Sequence, residues 1–362
     1  MSDTRDAKKK EIVLDVSELE VKFFQDVGTV HAVNDVSLRV HQGQSVGIVG
    51  ESGCGKSITS YSILRLLPNN ARITNGTVLY TPANGSTIDL TQGDPDGELI
   101  RKIRGKEIAM IFQEPMSALS PVHTIYDQMS EGLMLHTGAT PTEARARVIE
   151  MLRLVGISAP EQRVDEYIFQ LSGGMRQRVM IAMALICNPR VLIADEPTTA
   201  LDVTIQAQVL KLIKRMQDEL NLALVLITHD LGVIAHVTEY VYVMYLGQIM
   251  EEGPVSEVLV SPKHPYTRDL LKSIPKIRNR HDALSAIRGS VPDAYTVPKG
   301  CPYASRCAHV IAGLCTEARP ARTQAGTDHY VRCYLYTKES STTADASVRA
   351  ARREGEASDA DN

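Results

Sequence analysis

Tryptophan is absent from this chain, and phenylalanine occurs four times in 362 residues. A surface that stacks single-stranded bases needs aromatic side chains, so that class of function is disfavoured from the start. Positive charge is also short. The formal net charge is −4, whereas a face that grips DNA or RNA phosphates must be basic. No nucleic-acid partner is expected. Long hydrophobic runs are missing too: the longest, Val179–Cys187, is nine residues, about half of a bilayer span. The opening Met1–Glu11 is charged and lacks the apolar stretch of a secretory signal. The expectation is a chain that does not itself cross a membrane and is cytoplasmic unless a partner tethers it.

Hydrophobic residues make up 43% of the chain, enough for a sizeable core, and the length fits about two domains. Residues 1–11 and 339–362 are polar and poor in large apolar side chains, a composition that predicts disorder. Between them, short β-branched runs alternate with helical stretches, the pattern of an α/β fold with a largely parallel sheet. Three runs read as buried strands: Ser45–Val49, Val191–Ala194 and Ala223–Ile227. They end respectively in a Gly-rich turn, an Asp-Glu pair and a Thr-His-Asp. The C-terminal edge of a parallel sheet is where ligands bind.

A mainly helical insert is expected over roughly 115–185. Thr140-Pro141-Thr142-Glu143 reads as a capping box with proline at the first helical position. Ala144, Val148, Leu152 and Val155 recur at helical spacing, and Gly156 can end the helix. The segment 256–338 carries prolines and four of the six cysteines, and reads as a small appended module.

Gly50-Glu-Ser-Gly-Cys-Gly-Lys56-Ser57 fits G-x-x-x-x-G-K-[ST], directly after an apolar strand and before a helix. Glycines let the backbone of Gly50, Ser52, Gly53, Cys54 and Gly55 turn successive N–H groups towards phosphate oxygens, and the following helix adds its positive end. Lys56 should reach the β- and γ-phosphates of ATP, and the Ser57 hydroxyl should ligate Mg²⁺. Asp195, at the end of a strand, can hold the Mg²⁺ shell, and Glu196 beside it can polarise the attacking water. Cys54, next to a helix end and Lys56, is expected to have a lowered pKa and to react with thiol reagents.

Leu171-Ser-Gly-Gly-Met-Arg-Gln177 resembles the signature motif of ATP-binding-cassette (ABC) ATPases. The other motifs of that family follow in order across residues 12–255. Gln113 resembles the Q-loop glutamine and completes the implied Mg²⁺ set with Ser57 and Asp195. Ala200-Leu201-Asp202 looks like the D-loop, and His229 like the switch histidine. Phe23 or Phe24 resembles the aromatic residue that stacks on adenine, with Phe23 preferred by its spacing from Val36-Ser37. The resemblance implies a P-loop ABC ATPase with a RecA-like parallel core, an antiparallel β subdomain and a helical subdomain. It also implies that two subunits pair head to tail, so that Ser172, Gly173, Gly174 and Gln177 serve the partner's ATP.

Beyond the core, Ser261-Pro-Lys-His264-Pro265-Tyr266-Thr267, then Leu270-Leu271 and Pro275, resembles a segment of the oligopeptide/dipeptide importer ATPases. Met116-Ser117-Ala118-Leu119-Ser120-Pro121 fits as well. The chain is thus similar to the "D" ATPase of a peptide permease. This implies a sibling "F" ATPase, two integral-membrane permeases docking on roughly 113–175, an external peptide-binding protein, and a place on the cytoplasmic face of the membrane. Nickel importers are close relatives, and a soluble ABC ATPase of regulation or repair is the alternative reading. Cys301, Cys307, Cys315 and Cys333, spaced C-x5-C-x7-C-x17-C, can hold an Fe–S cluster or Zn²⁺, or stay unligated or disulfide-linked. The resemblance favours [4Fe–4S].

Overall fold

A computed structural model describes residues 11–113, 118–199, 201–273 and 287–337. The expected disorder of 1–10 and 339–362, and the motif residues Met116, Ser117, Ala200 and Pro275, lie outside these residues.

Two sheets organise the chain. Strands β1 (Ile12–Gln25), β2 (Gly28–His41), β4 (Ala71–Tyr80) and β5 (Ile88–Asp89) form a four-stranded antiparallel sheet in the order β2-β1-β4-β5. The second sheet has eight strands. Its parallel part runs β9 (Tyr240–Tyr245), β3 (Ser45–Val49), β8 (Ala223–Ile227), β7 (Val191–Asp195) and β6 (Ile108–Ile111). Beyond β9 it continues antiparallel through β10 (Gln248–Pro254), β12 (His329–Val331) and β11 (Thr323–Gly326).

The parallel strands read as unbroken apolar runs because both of their faces are covered. In β8, Ala223, Val225 and Ile227 face the core shared with the antiparallel sheet, while Leu224 and Leu226 face the helical side. The same alternation divides Val191 and Ile193 from Leu192 and Ala194 in β7. The three strands expected from sequence are all present and fully buried.

Helices Ile125–Thr137, Pro141–Leu154, Pro160–Arg163 and Gly173–Leu185 fill the insert. The helix Pro141–Leu154 starts on the expected capping box, with Thr140 and Glu143 bonded reciprocally. The chain leaves it through Gly156 at φ +79°.

The cysteine-bearing segment differs from the small appended module read from sequence. Its strands β12 and β11 extend the central sheet, with Glu251 paired to Val331 and Glu252 to Tyr330. Tyr266, Tyr303, Cys301, Cys315 and Tyr334 belong to the same apolar cluster as the helical core. Few large apolar residues suffice there because they are spent on a shared core. His264-Pro265-Tyr266 has a local cause as well: the His264 Nδ1 accepts the Tyr266 N–H at 3.0 Å and caps the helix Pro265–Lys272, with proline in its first turn.

Candidate functional site

The phosphate loop joins β3 to the helix Lys56–Ile63. Two of its glycines are dictated by close approach. A Cβ on Gly50 (φ +155°) would fall 2.1 Å from the Met244 carbonyl oxygen, and one on Gly55 (φ +98°) 2.3 Å from that of Ala32. Lys56 is buried, and its Nζ donates to the Gly50 and Glu51 carbonyl oxygens at 2.8 and 3.0 Å. Ser52, Gly53, Gly55, Lys56 and Ser57 line one cleft together with Gln113 and Glu196.

The ends of β7 and β8 bring the reactive groups to that cleft. Glu196 adopts a left-handed backbone (φ +44°), an unusual conformation for a non-glycine residue and one that accumulates at functional sites. Its Oε2 accepts from Gln113 Nε2 at 3.2 Å and from the Thr199 hydroxyl at 2.8 Å, and its Oε1 is 3.4 Å from His229 Nδ1. Asp195 is fully buried, and neither of its carboxylate oxygens has a well-formed hydrogen bond. Burial pushes its carboxyl above the usual range. The Ser57 hydroxyl opposes that shift, Glu196 reinforces it, and Lys56 opposes it.

Cys54 corrects an expectation. It is buried, and desolvation raises its thiol pKa despite Lys56, whose Nζ is 3.8 Å from the sulfur. A buried, protonated thiol is poorly reactive. The helix end and the cation are present, but the loss of water outweighs them.

Phe23 and Phe24 are separated by strand alternation. Phe23 pairs with Val30, which lines the cleft, while Phe24 pairs with Thr29 and is 48% exposed. Neither ring lines the cleft itself.

The signature residues lie elsewhere. Ser172 caps the helix Gly173–Leu185, accepting the Met175 N–H at 3.4 Å, and Ser172 and Gly173 are exposed. None of the signature residues lines the phosphate-loop cleft. Gln177 is buried, and its Nε2 donates to the Pro197 carbonyl at 2.6 Å, on the helix face turned inward. Asp202 caps the helix Val203–Leu220 by accepting the Ile205 N–H at 3.0 Å.

Several lining residues escaped sequence reasoning: His31, Ala32, Leu246, Gly247 and Ala294. Leu246-Gly247 had a signal, since both residues have positive φ in a two-residue hairpin turn between β9 and β10. Ala294 had none; only the fold brings it there. Burial, reinforced by Lys22, lowers the His31 pKa below the usual imidazole value.

The four clustered cysteines line a single small cavity, together with His264 and His309. Cys307 accepts the His309 N–H at 3.3 Å, and Cys315 that of Ile311 at 3.4 Å. Among the described residues, no group of three or more His, Cys, Asp or Glu converges closely enough to hold a single metal ion. No described helix is long and apolar enough to cross a membrane.

Comparison with known proteins shows what the chain is similar to. Residues 33–199 match the family model described as ABC transporter, and residues 250–315 the one described as oligopeptide/dipeptide transporter, C-terminal region. The dipeptide transport ATP-binding protein DppD of Bacillus subtilis (strain 168) is 47% identical over 90% of this chain and 95% of its own length. The oligopeptide transport ATP-binding protein AppD of the same organism is 46% identical over 90% and 98%. A dimeric ATP-binding cassette solved in a post-hydrolysis state with ADP and Pi is similar with a TM-score of 0.58 and 29% identity, covering 67% of this chain and 98% of that one. The chain belongs to the ABC transporter ATP-binding subunits, in the branch that carries the oligopeptide/dipeptide transporter C-terminal region.

Proposed function

We propose that this chain hydrolyses ATP to energise peptide import through an ABC transporter. The observation that carries the reading is the convergence of Gln113, Glu196 and His229 beside the phosphate loop. It occurs in a chain similar over nine-tenths of its length to dipeptide and oligopeptide transport ATP-binding proteins. Residues 12–255 serve as the nucleotide-binding unit and 256–338 as its extension.

In this account Phe23 stacks on adenine from the Val30 side, and the backbone from Gly50 to Gly55 cradles the phosphates with Lys56. Ser57, Gln113 and Asp195 would hold Mg²⁺. The two Asp195 oxygens, buried without a well-formed hydrogen bond among the described residues, fit a cation, the usual resolution for such a group. When bound, that ion supplies charge neutralisation at the phosphates. Glu196 takes the proton of the attacking water, a role worth about 10²–10⁴-fold in rate. Gln113 and Thr199 aim its carboxylate, and His229 reaches the γ-phosphate.

The helix end at Ser172, Gly173 and Gly174, exposed at its first two residues, lies outside this cleft, so it serves the ATP of a second ATPase subunit, with Asp202 at the same interface. ATP therefore favours the closed pair over the open one. The rings of Tyr167 and Phe169 stack at 5.5 Å, exposed on the insert. They offer an apolar landing for the cytoplasmic helices of two permeases, which place the chain at the cytoplasmic face of the membrane. The external peptide-binding protein then acts only through those permeases.

For the four cysteines we propose a bound group larger than one ion. Four thiols around one cavity, two of them accepting backbone N–H bonds, supply the donor set that an Fe–S cluster takes. Burial pushes Cys301 up to about 12 and Cys307 up to about 11, and also raises Cys315 and Cys333. As free thiols they are protonated, and ligation would displace those protons. Iron and sulfide analysis with a visible spectrum after anaerobic purification tests this; colourless, metal-free protein that stays folded would end it.

The importer reading is tested by mass spectrometry of what co-purifies with the chain from gently solubilised native membranes. Two multi-span permeases and a second ATPase are expected. Soluble partners alone would favour an ABC ATPase of regulation or repair.

A further inference from the structure

Arg306 lies in the 3-10 turn Ala304–Arg306, between two of the clustered cysteines and 255 residues along the chain from Glu51 of the phosphate loop. Its guanidinium grips both Glu51 carboxylate oxygens, Nη1 to Oε2 at 2.7 Å and Nη2 to Oε1 at 3.1 Å. This is the two-pronged geometry that only arginine offers a carboxylate. The Arg306 side chain is 4% exposed. Its Nε donates to the Arg288 carbonyl at 2.9 Å and its Nη1 also to the Tyr245 hydroxyl at 3.2 Å. The rings of Tyr245 and Tyr303 lie 5.8 and 5.7 Å from its central carbon.

Glu51 is held at two further points. Its N–H donates to the Tyr266 hydroxyl at 2.9 Å, and its carbonyl accepts from Lys56 Nζ at 3.0 Å. Amide, carbonyl and carboxylate of one loop residue are thus all tied, two of them to the extension. The extension also reaches the other end of the cleft. Ala294 lines it, and the Ala294 carbonyl accepts the His31 N–H at 3.2 Å.

We infer that Arg306 is a positioning residue for the phosphate loop, with Tyr266 as its accessory. It touches no phosphate. By fixing Glu51 it holds the neighbouring N–H groups and Lys56 in the arrangement that receives the β- and γ-phosphates of ATP. This rests on the nucleotide-site reading above and deepens it, because the extension becomes part of the nucleotide site. A buried ion pair is a poor way merely to glue two segments together, since desolvation offsets most of its attraction. Its value here is a defined geometry.

The test is a double-mutant cycle on the full chain, measuring Mg·ATP affinity, the KM and kcat of hydrolysis, and thermal midpoint. The variants are Arg306→Gln, Glu51→Gln, the two combined, and Arg306→Lys. Each single Gln variant is expected to weaken ATP binding and raise KM about tenfold, with the double no weaker than either single. Turnover at saturating ATP should fall much less, and Arg306→Lys should recover only part of the affinity because it loses the fork. Should Arg306→Gln fail to fold, Glu51→Gln carries the same readout from the loop side, where the carboxylate is 23% exposed. A folded Glu51→Gln chain that binds ATP within about twofold of the parent, or singles that add in the double, would overturn the role. A parental chain whose ATP binding is indifferent to Lys56→Ala would instead overturn the reading of the site itself, and this role with it.

Discussion

Asp195 ends β7 with a carboxylate that burial disfavours and no well-formed hydrogen bond relieves. Because its folded pKa is raised above the unfolded value, any stabilisation it gives is present in full below the ordinary aspartate range. That stabilisation is lost as pH rises through the folded value. At neutral pH the ionised group is a net liability of the free chain, tolerated for the sake of the cation it would hold. Asp195→Asn should therefore raise the thermal midpoint of the nucleotide-free protein, by an amount reflecting about 1 kcal/mol or more. It should also remove Mg²⁺-dependent turnover. Calorimetry with and without Mg·ATP checks both signs; a variant that melts lower without nucleotide contradicts the account. Lys56, Ser57, Asp195, Glu196 and His229 were legible in the sequence because each motif follows a buried strand, whose end must point at the same sheet edge. Arg306, Ala294 and Tyr266 were not legible as parts of that site. Contacts between residues more than two hundred positions apart leave no local pattern. Cys54 was misjudged for a different reason: charge and helix end can be read from neighbours in sequence, whereas burial cannot.

Among the elements, those with a repeating or reciprocal pattern were readable. The strands Ser45–Val49 and Ala223–Ile227 are continuous apolar runs, buried on both faces. The helix Pro141–Leu154 announces itself through the Thr140–Glu143 capping box and the buried positions Ala144, Val148 and Leu152. Strands β11 and β12 had no such signal. They have four and three residues, and pairing of β12 to β10 and of β11 to β12, not their own composition, makes them strands. The signature helix was readable at its start, where Ser172 caps and is exposed. One turn on, Gln177 faces inward and bonds Pro197, a contact with no local pattern in the sequence. That bond ties the inner face of the signature helix to Pro197, the residue after Glu196.

At the scale of the whole molecule, two features set the function proposed here. The signature helix end of the chain does not line its own phosphate-loop cleft, in keeping with the proposal that a second ATPase subunit completes each site. The extension is continuous with the central sheet and grips the phosphate loop, so it is not a passive tail. The proposed chemistry rests on Glu196, which is held between Gln113, Thr199 and His229. The most direct test is ATP hydrolysis by the complex purified from membranes, carrying either the parental chain or Glu196→Gln. The account predicts that the variant keeps its ATP, stays closed on its partner and loses most of its turnover, about 10²-fold. Hydrolysis by the variant at the parental rate would contradict it.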